Sequence, residues 1–165
     1  MLHGDKIALA RLVTMVENIH PDTLSIMQNI LPSRKRPYVI GITGFPGAGK
    51  SSIVDKFISF YREKGLTVGV IAVDPSSPFS GGAMLGDRIR MKAHDQDDGV
   101  FIRSMATRGF LGGLTRNTLE IITLFSAFGF DRIIIETVGV GQDEVDIMDL
   151  SHICIVTVVP GFGDH

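Results

Sequence analysis

Val39-Ile40-Gly41-Ile42-Thr43-Gly44-Phe45-Pro46-Gly47-Ala48-Gly49-Lys50-Ser51-Ser52-Ile53-Val54 is the stretch that decides the fold. Its first five residues are mostly apolar and β-branched, the composition of a buried strand. Residues 44–51 then match G-x-x-x-x-G-K-[ST]. Ile53, Val54, Phe57, Ile58 and Tyr61 follow at helical spacing, which predicts an amphipathic helix over 50–64. A strand, a glycine-rich turn and a helix in that order make a phosphate loop. Glycines let successive backbone N–H groups turn inward around an anion, and the helix N-terminus adds partial positive charge. The candidate phosphate contacts are therefore Gly44, Pro46, Gly47, Ala48, Gly49, Lys50, Ser51 and Ser52. Lys50 would bring a full charge to the β- and γ-phosphates, and the Ser51 hydroxyl would join the shell of a magnesium ion.

Outward from the loop, short runs rich in β-branched residues at 68–73, 100–102, 133–135 and 153–159 read as buried strands, with a helix at 115–128 between them. Alternating β and α segments predict an α/β fold, a mostly parallel sheet covered by helices on both faces, which is the three-layer P-loop NTPase arrangement. Ahead of it, 5–19 and 22–31 carry apolar residues at helical spacing, and Pro21 and Pro32 end the two helices. Ser33-Arg34-Lys35-Arg36-Pro37 reads as a solvated connector. The expected division is a helical N-terminal segment, 1–33, and a nucleotide-binding domain, 38–165.

At 165 residues and 44% hydrophobic, the chain has the size and apolar content of a packed domain. Sixteen Lys plus Arg against 18 Asp plus Glu leave a net charge of -2, so no global basic field invites nucleic acid or an anionic membrane. The single cysteine, Cys154, excludes an internal disulfide and a Cys-rich metal site, and fits a reducing compartment. The start, MLHGDK, is unlike a signal peptide, and no apolar run approaches the ~20 residues of a membrane span. A cytoplasmic location with no membrane partner is expected.

A hard cation takes oxygen ligands and keeps several waters, so a few carboxylates at strand ends suffice to hold it. Asp74 ends the run 68–73, Glu136 ends 133–135, and Asp87 lies in the glycine-rich stretch between strand and helix. With Ser51, these three are the candidate metal residues. Glu136 and Gly139 form an E-x-x-G arrangement, in which the acid orients metal or water and Gly139 lets a backbone N–H approach the γ-phosphate. Lys50, Asp87 and Glu136 are the candidate catalytic residues. From the residues alone, Asp74 also fits a turn former before Pro75, and Asp87 a solvated helix start. Asp95, Asp97 and Asp98 read as a solvent-facing turn, Cys154 as core, and His152 as a surface residue at a strand end.

The stretches GITGFPGAGKSS (41–52), AVDPSSPFSGGAMLGDRIRM (72–91), TRGFLGGLTR (107–116), IIIETVGVGQDE (133–144) and VVPGFGD (158–164) together closely resemble the MeaB/ArgK family of G-protein chaperones. The human relative in that family is the methylmalonic aciduria type A protein. The likeness runs from about Ile7 to the last residue. It implies a GTP/GDP-binding G domain behind a helical segment, and a Mg²⁺-dependent chaperone that gates loading of adenosylcobalamin onto methylmalonyl-CoA mutase or a related acyl-CoA mutase. It also implies that Lys50 is the phosphate-loop lysine, Ser51 the magnesium serine, and Asp74, Asp87 and Glu136 the acidic metal and water shell. In the same likeness, 74–90, with Arg90, is a first switch and 139–144 a second. Val140 stands where Ras-like proteins carry a water-orienting glutamine, with Gln142 as a substitute, so slow hydrolysis is expected. The sequence ends before the guanine-reading N-K-x-D segment and the dimerisation arm, so guanine preference rests on the resemblance and the homodimer belongs to the full-length family. A nickel-insertion GTPase, an ATP-using kinase, and a nucleotide-binding module without turnover are the other readings of the same residues.

Overall fold

The computed structural model describes residues 5–31, 36–74, 94, 96–106, 113–137, 143–159 and 161. Five strands form its centre: β1 (Tyr38–Gly44), β2 (Val68–Asp74), β3 (Val100–Ala106), β4 (Arg132–Thr137) and β5 (Ile153–Thr157). All pairings are parallel, in the order β3-β2-β4-β1-β5. The α/β fold expected from the alternating pattern is the observed one.

Among the described residues, three helices connect the strands: α3 (Lys50–Glu63), α4 (Gly113–Phe128) and α5 (Asp143–Leu150). Parallel strands need crossovers, and crossovers are right-handed. The step from β1 to β2 runs towards one edge of the sheet, while β3 to β4 and β4 to β5 run towards the other. Handedness therefore puts α3 on one face and α4 and α5 on the opposite face. The two apolar cores follow that division. Val54 and Ile58 of α3 pack on Ile40, Ile42, Val70 and Ile134, whereas Ile121, Leu124, Phe125 and Ile147 pack on Ile71, Ile133 and Ile135.

The N-terminal helices, α1 (Lys6–Glu17) and α2 (Thr23–Ile30), join the second core through Leu9, Val13, Val16, Met27 and Ile30. Asp5 caps α1 by accepting from the N–H groups of Ile7 and Ala8. Arg103 of β3 donates to Thr14 Oγ1 at 3.0 Å and pairs with the Glu17 carboxylate, so α1 is tied to the edge strand. That pairing explains why β3 continues to Ala106, beyond the apolar run at 100–102: a polar residue inside the strand finds its partner far away in sequence. The run at 153–159 is shorter as a strand, ending at Thr157.

Between α1 and α2 the chain turns through Ile19, whose φ is 51°. Ile19 N–H donates to Val16 O and His20 N–H to Met15 O, a Schellman termination whose left-handed position is normally glycine. A β-branched residue there carries strain of about 1–2 kcal/mol, and Ile19 is 77% exposed, so it recovers little by burial. Ile19→Gly is expected to raise stability by about 0.5–1 kcal/mol after allowing for the extra freedom of glycine in the unfolded chain. The measurement is the urea midpoint, which should rise at unchanged slope; a lower midpoint contradicts the assignment of strain.

The turn at 95–98 differs from its sequence reading. Asp97 accepts from Arg62 Nε at 2.8 Å and from the Gly99 N–H at 2.8 Å, and its backbone carbonyl accepts from Lys6 Nζ at 2.8 Å. The hydrogen bond from Arg62 holds the Asp97 carboxyl below the usual carboxylate range. Asp97 thus joins α1, α3 and β3, while Asp98 is exposed and Asp95 lies outside the described residues. His152 is exposed as expected, but its Nδ1 also accepts from the Val39 N–H at 3.1 Å and its ring stacks on Tyr38. Cys154 is half-buried against the α4 and α5 core. Among the described residues no helix is long and apolar enough to cross a membrane.

Candidate functional site

The carboxyl ends of β1, β4 and β5 meet where the glycine-rich turn leaves the sheet. Gly44, the last residue of β1, has φ 128° and lies under the end of β5. A Cβ added there would stand 2.0 Å from the Thr157 carbonyl oxygen and 2.3 Å from Thr157 Oγ1, so only glycine fits. Gly47 and Gly49 also have positive φ, 79° and 84°, but a Cβ at either would meet nothing within 4 Å. At those two positions the requirement is conformational.

Gly49 is the N-cap of α3 and supplies no side chain to cap it. The first-turn N–H groups of a helix have no acceptor within the helix, and they carry the positive end of its dipole. The N-terminus of α3 therefore points donors and positive charge at the turn, whose residues 45–47 and 49 are exposed. Lys50, the first residue of the helix, is only 7% exposed. A buried ammonium must be hydrogen-bonded. Its Nζ donates to the carbonyls of Gly44 at 2.7 Å and Phe45 at 2.8 Å, so the side chain curls back over the loop that precedes it.

Glu136 lies one residue before the end of β4, opposite Ile42 in the ladder with β1, and is 5% exposed. Ser51 Oγ donates to Glu136 Oε1 at 2.8 Å. A hydroxyl from the first turn of α3 and a carboxylate from the neighbouring strand are thus brought together although 85 residues separate them. Both are hard oxygen donors.

Of the residues singled out in the sequence, those at 44 and 46–52 and Glu136 converge at this edge. Asp74 ends β2, the strand next to β4, and its side chain lies outside the described part of the structure. Asp87, Arg90, Gly139, Val140 and Gln142 lie outside the described residues. Thr43, Thr137 and Thr157 belong to the same edge, all buried, and no motif in the sequence marks them. Thr137 Oγ1 donates to Thr43 Oγ1 at 2.8 Å, and Thr157 Oγ1 donates to the Thr43 carbonyl at 3.0 Å.

Comparison with known proteins places this geometry in a family. Residues 9–165 match the family described as methylmalonyl-CoA mutase-associated GTPase MeaB. A protein of Pyrococcus abyssi named as a GTPase is 55% identical over 164 residues, which are 99% of this chain and 51% of that protein. GTPase ArgK of Escherichia coli is 39% identical over 98% of this chain and 50% of its own length. The mouse methylmalonic aciduria type A homolog, mitochondrial, is 37% identical over 99% of this chain and 43% of its own length. A crystal structure of a protein named LAO/AO transport system kinase superposes with a TM-score of 0.72 at 31% identity, covering 94% of this chain and 46% of that one. The chain spans about half the length of the curated relatives it matches. With its phosphate-loop motif, its parallel sheet and a match over residues 9–165, the chain belongs to the MeaB family of methylmalonyl-CoA mutase-associated GTPases.

Proposed function

We propose that this chain binds GTP with Mg²⁺ at the carboxyl edge of the sheet, hydrolyses it slowly, and uses the cycle to control an adenosylcobalamin-dependent acyl-CoA mutase. The contact of Ser51 with the buried Glu136, directly beside the curled Lys50, carries the reading. The N–H groups of Gly44, Gly47, Ala48, Gly49, Lys50, Ser51 and Ser52 cradle the phosphates, while Pro46, which has no N–H, fixes the turn. Lys50 exchanges its two loop carbonyls for phosphate oxygens, a change from neutral to charged acceptors that favours the bound state.

The donor set fits magnesium. A serine hydroxyl and a carboxylate are the oxygen ligands that Mg²⁺ accepts, and waters and phosphate oxygens complete its shell. Ser51 would hold it directly, with Glu136, Asp74 and Asp87 around it. Held by these residues, Mg²⁺ would supply charge neutralisation to the phosphates. Glu136 would orient the attacking water, and Gly139, which lies outside the described residues, would offer its N–H to the γ-phosphate. The mutase partner follows the family description, and the mouse relative's name, methylmalonic aciduria type A homolog, agrees with it. The proposed division is a helical segment, 1–33, ahead of a nucleotide domain, 38–165, and the cytoplasm is the compartment that a single cysteine fits.

Glu136→Gln keeps the shape of the side chain and removes its charge. Single-turnover phosphate release should fall about tenfold or more, because the carboxylate acts on the metal and water, while GTP affinity in EDTA should stay within about twofold. Equal losses of affinity with and without Mg²⁺ would remove Glu136 from the metal shell.

A further inference from the structure

The ladder between β1 and β4 runs from Tyr38 opposite Arg132 to Ile42 opposite Glu136. One residue further on, the link between the strands is made by side chains, the 2.8 Å bond from Thr137 Oγ1 to Thr43 Oγ1. Both threonines are 2% exposed. Successive side chains on a strand point to opposite faces, so Thr137 lies behind the sheet while Glu136 reaches α3 on the front. On the other side of β1, Thr157 holds the Thr43 carbonyl and packs against Gly44. The exit of β1 is thus fixed from both neighbouring strands.

Stability alone does not explain two hydroxyls at this depth. A pair of valines of the same shape would be nearly neutral or stabilising, since replacing both partners of a buried hydrogen bond removes the desolvation cost with the bond. A hydrogen bond does what apolar contact does not: it fixes one separation at the point where the two strands leave their ladder. That separation sets where Glu136 stands relative to the first turn of α3.

We propose that the Thr43–Thr137 hydroxyl pair is a positioning latch that holds the Glu136 carboxylate on the Ser51 hydroxyl from behind the sheet. The inference rests on the Mg²⁺·GTP reading of the site. Thr137 touches neither nucleotide nor metal in this account, and acts only through its neighbour Glu136. Groups hydrogen-bonded directly to a metal ligand typically contribute about 10–100-fold to metal affinity, and a latch that acts through the backbone of the next residue belongs at the low end of that range.

The test is calorimetric titration of GTP into the full chain over a series of Mg²⁺ concentrations and in EDTA, with thermal unfolding measured alongside. Thr137→Val should raise the Mg²⁺ concentration for half-maximal GTP binding about tenfold, leave the EDTA affinity within about twofold, and be rescued by Thr137→Ser. Thr137→Val also strands the Thr43 hydroxyl, so the double variant Thr43→Val/Thr137→Val separates folding from function. The double variant should be at least as stable as the parent and show the same Mg²⁺ defect. A stable double variant with the parental Mg²⁺ requirement, or a Thr137→Ser variant as impaired as Thr137→Val, overturns the latch alone. If the parent chain binds GTP equally well in Mg²⁺ and in EDTA, the Mg²⁺·GTP reading falls and the latch with it.

Discussion

Lys50→Ala is expected to lower GTP affinity about tenfold or more in calorimetric titration, the largest binding defect of any single substitution in the loop. Hydrogen bonds to charged groups contribute about 1.5–3 kcal/mol each, and each 1.4 kcal/mol is tenfold in affinity. The Lys50 ammonium is already desolvated, so exchanging the carbonyls of Gly44 and Phe45 for charged phosphate oxygens incurs little further cost of dehydration. Arginine is not a substitute, because its planar fork does not fit where a point charge curls over two carbonyls. If Lys50→Ala binds GTP as tightly as the parent, the lysine only props the loop and the phosphate assignment is wrong.

Gly44→Ala is expected to be the most destabilising of the loop substitutions, by about 2–6 kcal/mol, a large share of the 5–15 kcal/mol that holds a typical domain. Two effects add. A side chain at φ 128° carries backbone strain of about 1–3 kcal/mol, and overpacking against a neighbour that cannot move adds about 1–3 kcal/mol. The neighbour is backbone, the Thr157 carbonyl 2.0 Å from the added Cβ, and Thr157 is itself tied to Thr43. Gly47→Ala is the control, because φ is also positive there but the space is open. Circular dichroism melts should show a large drop for Gly44→Ala and a small one for Gly47→Ala. Equal drops would mean that conformation alone, and not the approach of β5, fixes glycine at 44.

What the sequence revealed of this molecule was what is local. The phosphate loop is a contiguous pattern, and the apolar runs of β1, β2 and β4 are uninterrupted because these central strands are buried on both faces. Edge strand β3 was legible only as far as Ile102, since Arg103 and Ser104 break the apolar run and the partner of Arg103 lies on α1. Helix α5 escaped notice for a similar reason. Of its described side chains only Ile147 is fully buried, so DEVDIMDL shows little amphipathic contrast. Asp97 looked like one acid in a polar turn because its partners, Lys6 and Arg62, come from two distant helices. The threonine contacts behind the site join residues 94 and 114 positions apart, and nothing in a threonine at the end of an apolar run announces such a bond.

Lys50 and Ser51 were legible as phosphate and metal candidates through their motif. The direct bond between Ser51 and Glu136 needed the register of β4 on β1, which places Glu136 opposite Ile42, two residues before the glycine turn. The Asp74 side chain, Asp87 and Gly139 lie outside the described residues, and their metal and γ-phosphate roles stand as proposals.

Single-turnover release of labelled phosphate from GTP by the purified chain is the most direct test of slow, Mg²⁺-dependent GTP hydrolysis. Release should proceed at about 10⁻⁴–10⁻² s⁻¹ in Mg²⁺, the range of GTPases acting without an activating partner. It should stop in EDTA and be abolished in Lys50→Ala. Release at the same rate in EDTA, or none above the Lys50→Ala background in Mg²⁺, would contradict the account.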